Sequence, residues 1–236
     1  MSEDLRRARL AAMAVLFCNG VLYSTWGVYI PTIKQKFALS DGLLAIAMVA
    51  VAAGGIATLA RGGDWISKNG SGRASVQSGM LMAVSAAVIP LIPSDAVLLP
   101  FLFIYGIATA ANDVAANSQG AYIEARSRRS IIGSLHGSFS AGGLVGATFA
   151  SVWAGTMCLP LLSFAVVSAA SCATMLAATR FLTNEPSRDG HSPSTPDIGG
   201  AVAQPFDQRH VKMRLYAFGA LALSSKAPFM TGLRST

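Results

Sequence analysis

About fifty consecutive residues of this chain, 130–179, carry no formally charged side chain. As one α-helix this run would extend roughly 75 Å, more than twice the thickness of the hydrocarbon core of a bilayer. The run must therefore fold back on itself, and the natural break is the segment Met157-Cys158-Leu159-Pro160. The sequence thus predicts two adjacent apolar helices, the fifth and sixth of the chain, ending near Arg180.

The rest of the chain repeats this pattern. Of its 236 residues 53% are hydrophobic and 12% charged, whereas a soluble domain carries about 25% charged residues. A soluble, core-rich enzyme would need polar stripes along its helices, and these are missing. We therefore predict an all-α, polytopic membrane bundle of six transmembrane helices, the first four within 10–30, 42–60, 74–92 and 96–119, each about 20 residues long.

Composition divides the chain into three parts. Residues 1–182 form the predicted six-helix bundle. Residues 183–213, rich in Pro, Ser and Gly, are typical of a flexible hydrophilic linker. Residues 214–236 begin like a seventh helix, but the apolar piece 215–223 is too short to cross a membrane.

Positive charge alternates between the predicted loops. The N-terminus and every second loop are basic, whereas the intervening turns hold only Lys34 and Lys36. This bias predicts a cytoplasmic N-terminus and linker in a multi-pass protein of the bacterial inner membrane. It also explains the net charge of +7 without a nucleic-acid partner. The basic residues that define the pattern are Arg6, Arg7, Arg9, Arg61, Lys68, Arg73, Arg126, Arg128 and Arg129.

A polar stripe interrupts the fourth apolar run. If the run is helical, one side of it carries Gly106, Thr109, Asp113, Asn117 and Gly120. A carboxylate inside a bilayer costs a few kcal/mol or more, so we expect Asp113 to face the bundle interior or a water-filled cavity. There it would serve as a protonatable group or as a ligand of a polar solute. The alternative is that it pins the fourth helix to a neighbour.

The asparagines beside this acid have two interpretations. Asn112 and Asn117 carry amides that suit the hydroxyl groups of a polar solute. Such amides also join transmembrane helices, at about 1 kcal/mol each. The sequence leaves both open.

The fifth helix carries a second titratable group. His136 shares a stripe with Gly133, Ser140 and Gly143, so we expect it to face the interior. At a depth similar to that of Asp113, it would form a proton-responsive pair with the acid; the alternative is a neutral histidine bonded to a backbone carbonyl. Glycines at a spacing of four, 133/137 and 142/146, predict close helix contacts.

One face of the first helix carries Asn19, Tyr23, Trp26 and Ile30. The first three are candidate solute contacts. The alternative places Tyr23 and Trp26 in an interfacial aromatic belt. We find no catalytic Ser/His/Asp arrangement, no phosphate-binding loop and no His or Cys at metal-ligand spacing, so we expect neither an enzyme nor a metal or other cofactor.

The segment 63–73 resembles the signature between helices two and three of the major facilitator superfamily. Gly63, Lys68, Gly70 and Arg73 match it, while its Asp falls on Ser67 and one basic position on Gly72. The segments 26–31, 112–117 and 134–140 look like the branch that includes fucose-permease-like proteins.

This resemblance implies a secondary transporter of a small solute, often a sugar and sometimes coupled to protons by symport. Helices one and four would line its cavity, and the residues that match the signature would act as a cytoplasmic gating latch.

The same resemblance implies two six-helix halves with the solute between them. We therefore expect a truncated product that contains the N-terminal half, or else a natural half-transporter that self-associates. The competing hypothesis is a half-bundle that does not transport and acts as an assembly partner or remains as a nonfunctional remnant.

Overall fold

The computed structural model describes residues 2–155 and 160–182. Within these ranges the chain is helical and contains no strand. The elements are α1 (Glu3–Lys36), α2 (Asp41–Asn69), α3 (Ser71–Val88) with a 3-10 turn (Ile89–Leu91), α4 (Asp95–Ser127), α5 (Ile132–Gly155) and α6 (Pro160–Ala178). The predicted linker, the partial seventh helix and most of the break at 157–160 lie outside the described residues.

Five of these helices are long and apolar enough to cross a membrane: α1, α2, α3 with its 3-10 turn, α4 and α6. The predicted all-helical fold is thereby confirmed for the described residues, and the five apolar helices indicate a multi-pass membrane protein. The helix α5 is not among them, so the count of six spans stays a prediction.

Two predicted helix ends are wrong. The first helix was expected to end at Pro31, but α1 continues to Lys36. A proline inside a helix removes one backbone hydrogen bond, to the residue four positions earlier, and that residue is Gly27. The helix persists through this loss because residues on both sides of the proline, Tyr29 and Ile33, are buried against neighbouring helices.

The predicted loop 61–73 is also wrong. The helix α2 runs to Asn69 and α3 begins at Ser71, so Gly70 alone separates them. Gly70 has φ 81°, which favours glycine, and its N–H donates to the carbonyl of Ile66 at 2.8 Å. Consequently the signature residues lie in helices on both sides of Gly70.

Side chains fix the turns between helices. The Ser40 hydroxyl accepts from the Leu43 N–H at 3.2 Å and caps α2, as expected from its position. The Glu124 carboxylate accepts from the N–H groups of Ile131 and Ile132, at 2.7 and 3.2 Å. A side chain of α4 therefore caps the start of α5, where backbone N–H groups have no partner within the helix.

One end of the bundle carries most of the basic side chains, among them Arg6, Arg61 and Arg129. We call "basic end" the end where α1 and α3 begin, α2 and α4 end, and α5 begins. Near this end lies a buried cluster that includes Ala8, Leu16, Ala116 and Leu135. A larger cluster toward the opposite end contains Trp26, Tyr29, Leu102, Tyr105 and Phe164.

Four helices form the front of the bundle. The most extensive contacts join α1 to α5 and α2 to α4, and α1 also contacts α4. Behind them, α3 packs against α4 and α6, and α6 packs against α1. The helices α1 and α4 are therefore central, with α5 and α2 beside them.

The contact of α1 with α5 depends on reciprocal glycines. A Cβ atom added at Gly20 would collide with the carbonyl oxygen of Phe139, and one added at Gly142 would collide with that of Phe17. Each carbonyl belongs to the residue three positions before the glycine of its own helix. Backbones at this distance form weak Cα–H···O contacts and extensive van der Waals contact.

The contact of α2 with α4 repeats this arrangement. Gly54 lies against the carbonyl of Phe103, and Gly106 against the carbonyl of Val51, with the same separation of three residues in each helix. The same contact between glycine and a backbone carbonyl therefore occurs twice, once between α1 and α5 and once between α2 and α4. Of the two glycine pairs predicted in α5, 142/146 makes the close contacts, whereas no other atom lies near a Cβ added at Gly133 or Gly137.

We expect Gly142→Ala to destabilise the bundle by about 1–3 kcal/mol, because the added methyl group cannot be accommodated without separating α5 from α1. The measurement is reversible unfolding in detergent. Gly137→Ala is the matched control on the same helix; it should be neutral or stabilising by up to about 1 kcal/mol, as helix propensity predicts. Equal effects of the two substitutions would contradict the glycine contact.

Candidate functional site

Other helices leave only the middle of the polar stripe of α4 uncovered, because Gly106 and Gly120 are buried against α2 and α5. Asp113 is exposed, and Thr109 and Asn117 are half-buried. Of the two surroundings expected for Asp113, the interior of this bundle is therefore wrong, and the water-filled cavity stays a prediction. Inward positions of α4 are occupied by other residues: Tyr105, Ala108, Asn112, Ala115 and Ala116.

Asn112, the neighbour of this acid, is buried where three helices meet. Its side chain is 0% exposed. Its Nδ2 donates to the carbonyl of Ser75 on α3 at 2.7 Å, and its Oδ1 accepts from Nδ2 of Asn19 on α1 at 2.9 Å. The two asparagines, both singled out as solute contacts, are thus bonded to each other and join α1, α3 and α4.

The surroundings of Asn112 include residues that sequence reasoning missed. A Cβ atom at Gly79 would lie 2.8 Å from Nδ2 of Asn112, so only glycine leaves room for the amide. Nearer the basic end, one turn along α3 and about two along α4, the Ser71 hydroxyl donates to Oε1 of Gln119 at 2.8 Å. The signal for these contacts was the serine stripe of α3, at positions 71, 75 and 78.

Asn117 is bonded within its own helix. Its Nδ2 donates to the carbonyl oxygen of Asp113 at 2.9 Å and to the carboxylate Oδ1 of Asp113 at 3.1 Å. One carboxylate oxygen therefore has an amide partner, and the other has none among the described residues. This arrangement leaves an acceptor on the exposed surface of a long apolar helix.

The candidate residues of α1 divide between two environments. Tyr23 is 52% exposed, whereas Trp26 is only 5% exposed and packs against Tyr105 with ring centroids 5.8 Å apart. The interpretation of Trp26 as a member of an interfacial belt is therefore wrong, because neighbouring helices enclose its ring. Tyr23 remains accessible on the front of the bundle.

His136 is exposed on α5, and so is Ser140. The inward positions of this helix are taken by Leu135, Gly142 and Gly146. The expectation that His136 faces the interior is therefore wrong. Within the described part of the chain, no hydrogen bond or ion pair joins His136 to Asp113.

The residues that match the signature are not brought together with Asp113. Gly63 and Lys68 are exposed near the end of α2, Gly70 is the junction, and Arg73 lies in the first turn of α3. Asp113 lies 14 residues before the end of α4, a distance of about 21 Å along the helix. In the described ranges no group of three or more His, Cys, Asp or Glu residues could hold a metal ion.

Replacement of Asn112 by Leu should destabilise the bundle more than the same change at Asn117, because it leaves the Asn19 amide and the Ser75 carbonyl without their partner. We expect a coupling free energy of about 0.6 kcal/mol between Asn19→Ala and Asn112→Ala, the average for polar pairs in membranes. A double-mutant cycle of unfolding in detergent measures it. Additive effects would show that the two amides do not interact.

Three known proteins are similar to part of this chain. Membrane protein MosC of Rhizobium meliloti is 30% identical over 130 residues, covering 55% of this chain and 32% of MosC. An uncharacterised MFS-type transporter of Yersinia pestis is 26% identical over 149 residues, covering 62% of this chain and 39% of the relative. An uncharacterised transporter of Sinorhizobium fredii is 26% identical over 129 residues, covering 55% and 34%.

The matched region thus spans little more than a third of the length of these relatives, and no protein-family model matches the chain. Two of these relatives are named as transporters, one of them of the MFS type, and the third as a membrane protein. Together with the apolar helices, they indicate a multi-pass membrane protein.

Proposed function

We propose that this bundle forms one wall of a transmembrane pathway for a small polar solute in a secondary transporter. The observation that carries the proposal is the exposed Asp113 near the middle of α4. A carboxylate that faced lipid at this depth would cost a few kcal/mol or more. The face that it occupies therefore borders water or another protein.

The neighbours of Asp113 favour a hydrophilic pathway. Asn117 orients one carboxylate oxygen, Thr109 lies one turn away on α4, and the Tyr23 ring is exposed on α1. Hydroxyl, amide, carboxylate and aromatic groups together suit a solute rich in hydroxyl groups, such as a sugar. The resemblance to fucose-permease-like proteins supports the same solute class.

We assign a different role to the buried residues. Asn19, Asn112 and Trp26 hold α1 against α4 from behind and so set the positions of Tyr23 and Asp113. Asp113 is the proposed proton acceptor of a symport mechanism, and the exposed His136 is the second titratable group on the front of the bundle. The signature residues Gly63, Lys68, Gly70 and Arg73 are proposed to gate the pathway at its basic end.

We further propose that the basic end lies on the cytoplasmic side of the bacterial inner membrane, because lysine and arginine in short loops favour that side. A cysteine placed at Ser127, the last residue of α4, should react with an impermeant reagent only from the cytoplasm. Labelling from the other side would reverse the assignment.

The alternative is a half-bundle whose polar face is covered by a partner bundle or a second copy and transports nothing. Both alternatives provide a polar surrounding for Asp113. They differ in whether water reaches it, and this difference can be measured in the chain itself.

After replacement of the native cysteines by alanine, Asp113→Cys and Tyr23→Cys should react with a membrane-impermeant thiol reagent, because both positions face water. The matched controls, Ile56→Cys and Val152→Cys, are 68% and 66% exposed but lie on apolar helix surfaces, and they should react slowly because thiolates do not form in lipid. Equal, slow reaction at all four positions would exclude the pathway. The native cysteines are Cys18, Cys158 and Cys172.

In a full-length carrier that contains this bundle, Asp113→Asn should lower uptake of a transported sugar about tenfold or more, since a charged hydrogen bond contributes about 1.5–3 kcal/mol. Uptake into proteoliposomes, measured across pH, tests this. Thr148→Asn, an exposed change on α5, is the control and should leave uptake unaltered. Unchanged uptake by Asp113→Asn at every pH would remove this acid from the mechanism.

A further inference from the structure

A groove of about 520 Å³ lies between α2 and α3, with α4 as its floor. Direct contact between α2 and α3 is sparse, which leaves this space open along their length. On α4 the groove residues Ile107 and Ala111 point away from Asp113, since six residues correspond to a rotation of about 120° and two to about 160° in the same sense. The groove is therefore separate from the proposed solute face.

The polarity of the groove changes from one end to the other. Toward the middle of the bundle its walls are apolar, with Leu81, Phe103 and Ile107. Toward the basic end its rim carries Arg61, Trp65 and Gln77. This gradient runs along α2 and α3, which are both long and apolar enough to cross a membrane.

The guanidinium of Arg61 is available at this rim. Arg61 is exposed, and it forms no hydrogen bond or ion pair with any residue that the structure describes. The nearest acid along the helix, Asp64, lies three residues on and is likewise unpaired. The two hydroxyl groups of the groove are already bonded: the Thr58 hydroxyl donates to carbonyls of Gly54 and Ile107, and the Ser78 hydroxyl to that of Ala74.

The depth of Arg61 matches the boundary between hydrocarbon and headgroups. It lies eight residues, about 12 Å along the helix, before the end of α2 at Asn69. Trp65 follows one turn later, and tryptophan concentrates at membrane interfaces. An arginine at this depth extends toward the phosphate layer while its methylene groups stay in hydrocarbon.

We propose that this groove binds one anionic phospholipid, with an acyl chain between Leu81, Phe103 and Ile107 and the headgroup phosphate on Arg61. The planar guanidinium binds phosphate through two parallel hydrogen bonds. The shape and polarity gradient of the groove match an amphipathic molecule whose charged end is held at the membrane surface. The bound lipid fills the gap between α2 and α3.

The test is native mass spectrometry of the intact chain in detergent, with phosphatidylglycerol and phosphatidylcholine of identical acyl chains. The chain should retain one phosphatidylglycerol more tightly than phosphatidylcholine. Arg61→Gln should weaken phosphatidylglycerol binding about fivefold, which corresponds to about 1 kcal/mol for one cation at an anionic lipid surface. It should weaken phosphatidylcholine binding less, because the choline ammonium already compensates the phosphate charge of that lipid, and Arg61→Lys should restore only part of the preference, because an ammonium lacks the two parallel donors.

Two further variants separate the groove from general charge. Arg129→Gln removes an exposed cation at the same end but outside the groove, and it should change the binding of neither lipid. Ala57→Trp places a large side chain in the groove and should weaken the binding of both lipids. Unchanged helix content by circular dichroism should confirm that this variant folds.

Four results would overturn the proposal. The first is equal phosphatidylglycerol retention by Arg61→Gln and the wild-type chain, and the second is an equal loss of retention in Arg129→Gln. The third is displacement of the lipid by inorganic phosphate, which would show that a free anion suffices. The last is co-purification of two differently tagged copies that Ala57→Trp abolishes, which would assign the groove to a second copy of this chain.

Discussion

The bundle depends on direct contact between helix backbones at glycine. Lipid tails are as apolar as leucine, so the hydrophobic effect does not drive helices together inside a membrane, and van der Waals contact must do so. Gly20 and Gly142 provide it between α1 and α5, and Gly54 and Gly106 between α2 and α4. These two pairs hold the outer front helices against the central ones.

The buried amides determine how α4 is rotated within this frame. Asn112 is bonded to α1 and α3, and Asp113 follows it by one residue, a rotation of about 100°. If the amide is fixed in the core, the acid is directed to the side of α4 that lies between α1 and α2. The same rotation directs Ile107 and Ala111 into the groove beside α3. One hydrogen-bonded residue thus sets both the polar face and the apolar groove.

The sequence predicted those features that depend on composition and on contacts along one helix. Absence of charge located the apolar helices, and the glycine spacing of α5 predicted the contact at Gly142. It could not decide which of the adjacent residues Asn112 and Asp113 is buried, because that depends on the positions of α1 and α3. It also misplaced the end of α1, since Pro31 breaks a helix only where the surrounding packing does not hold it.

The exposure of Asp113 and the burial of Asn112 together favour a functional role for the acid. A carboxylate used only to join helices would occupy the core, where it could accept hydrogen bonds, yet that position is filled by a neutral amide that costs less to bury. The acid is instead held by Asn117 alone, with one oxygen unpaired among the described residues. Asp113 thus lies at the surface of the central helix α4, in front of a core that other groups already join. It is positioned to interact with something outside the bundle.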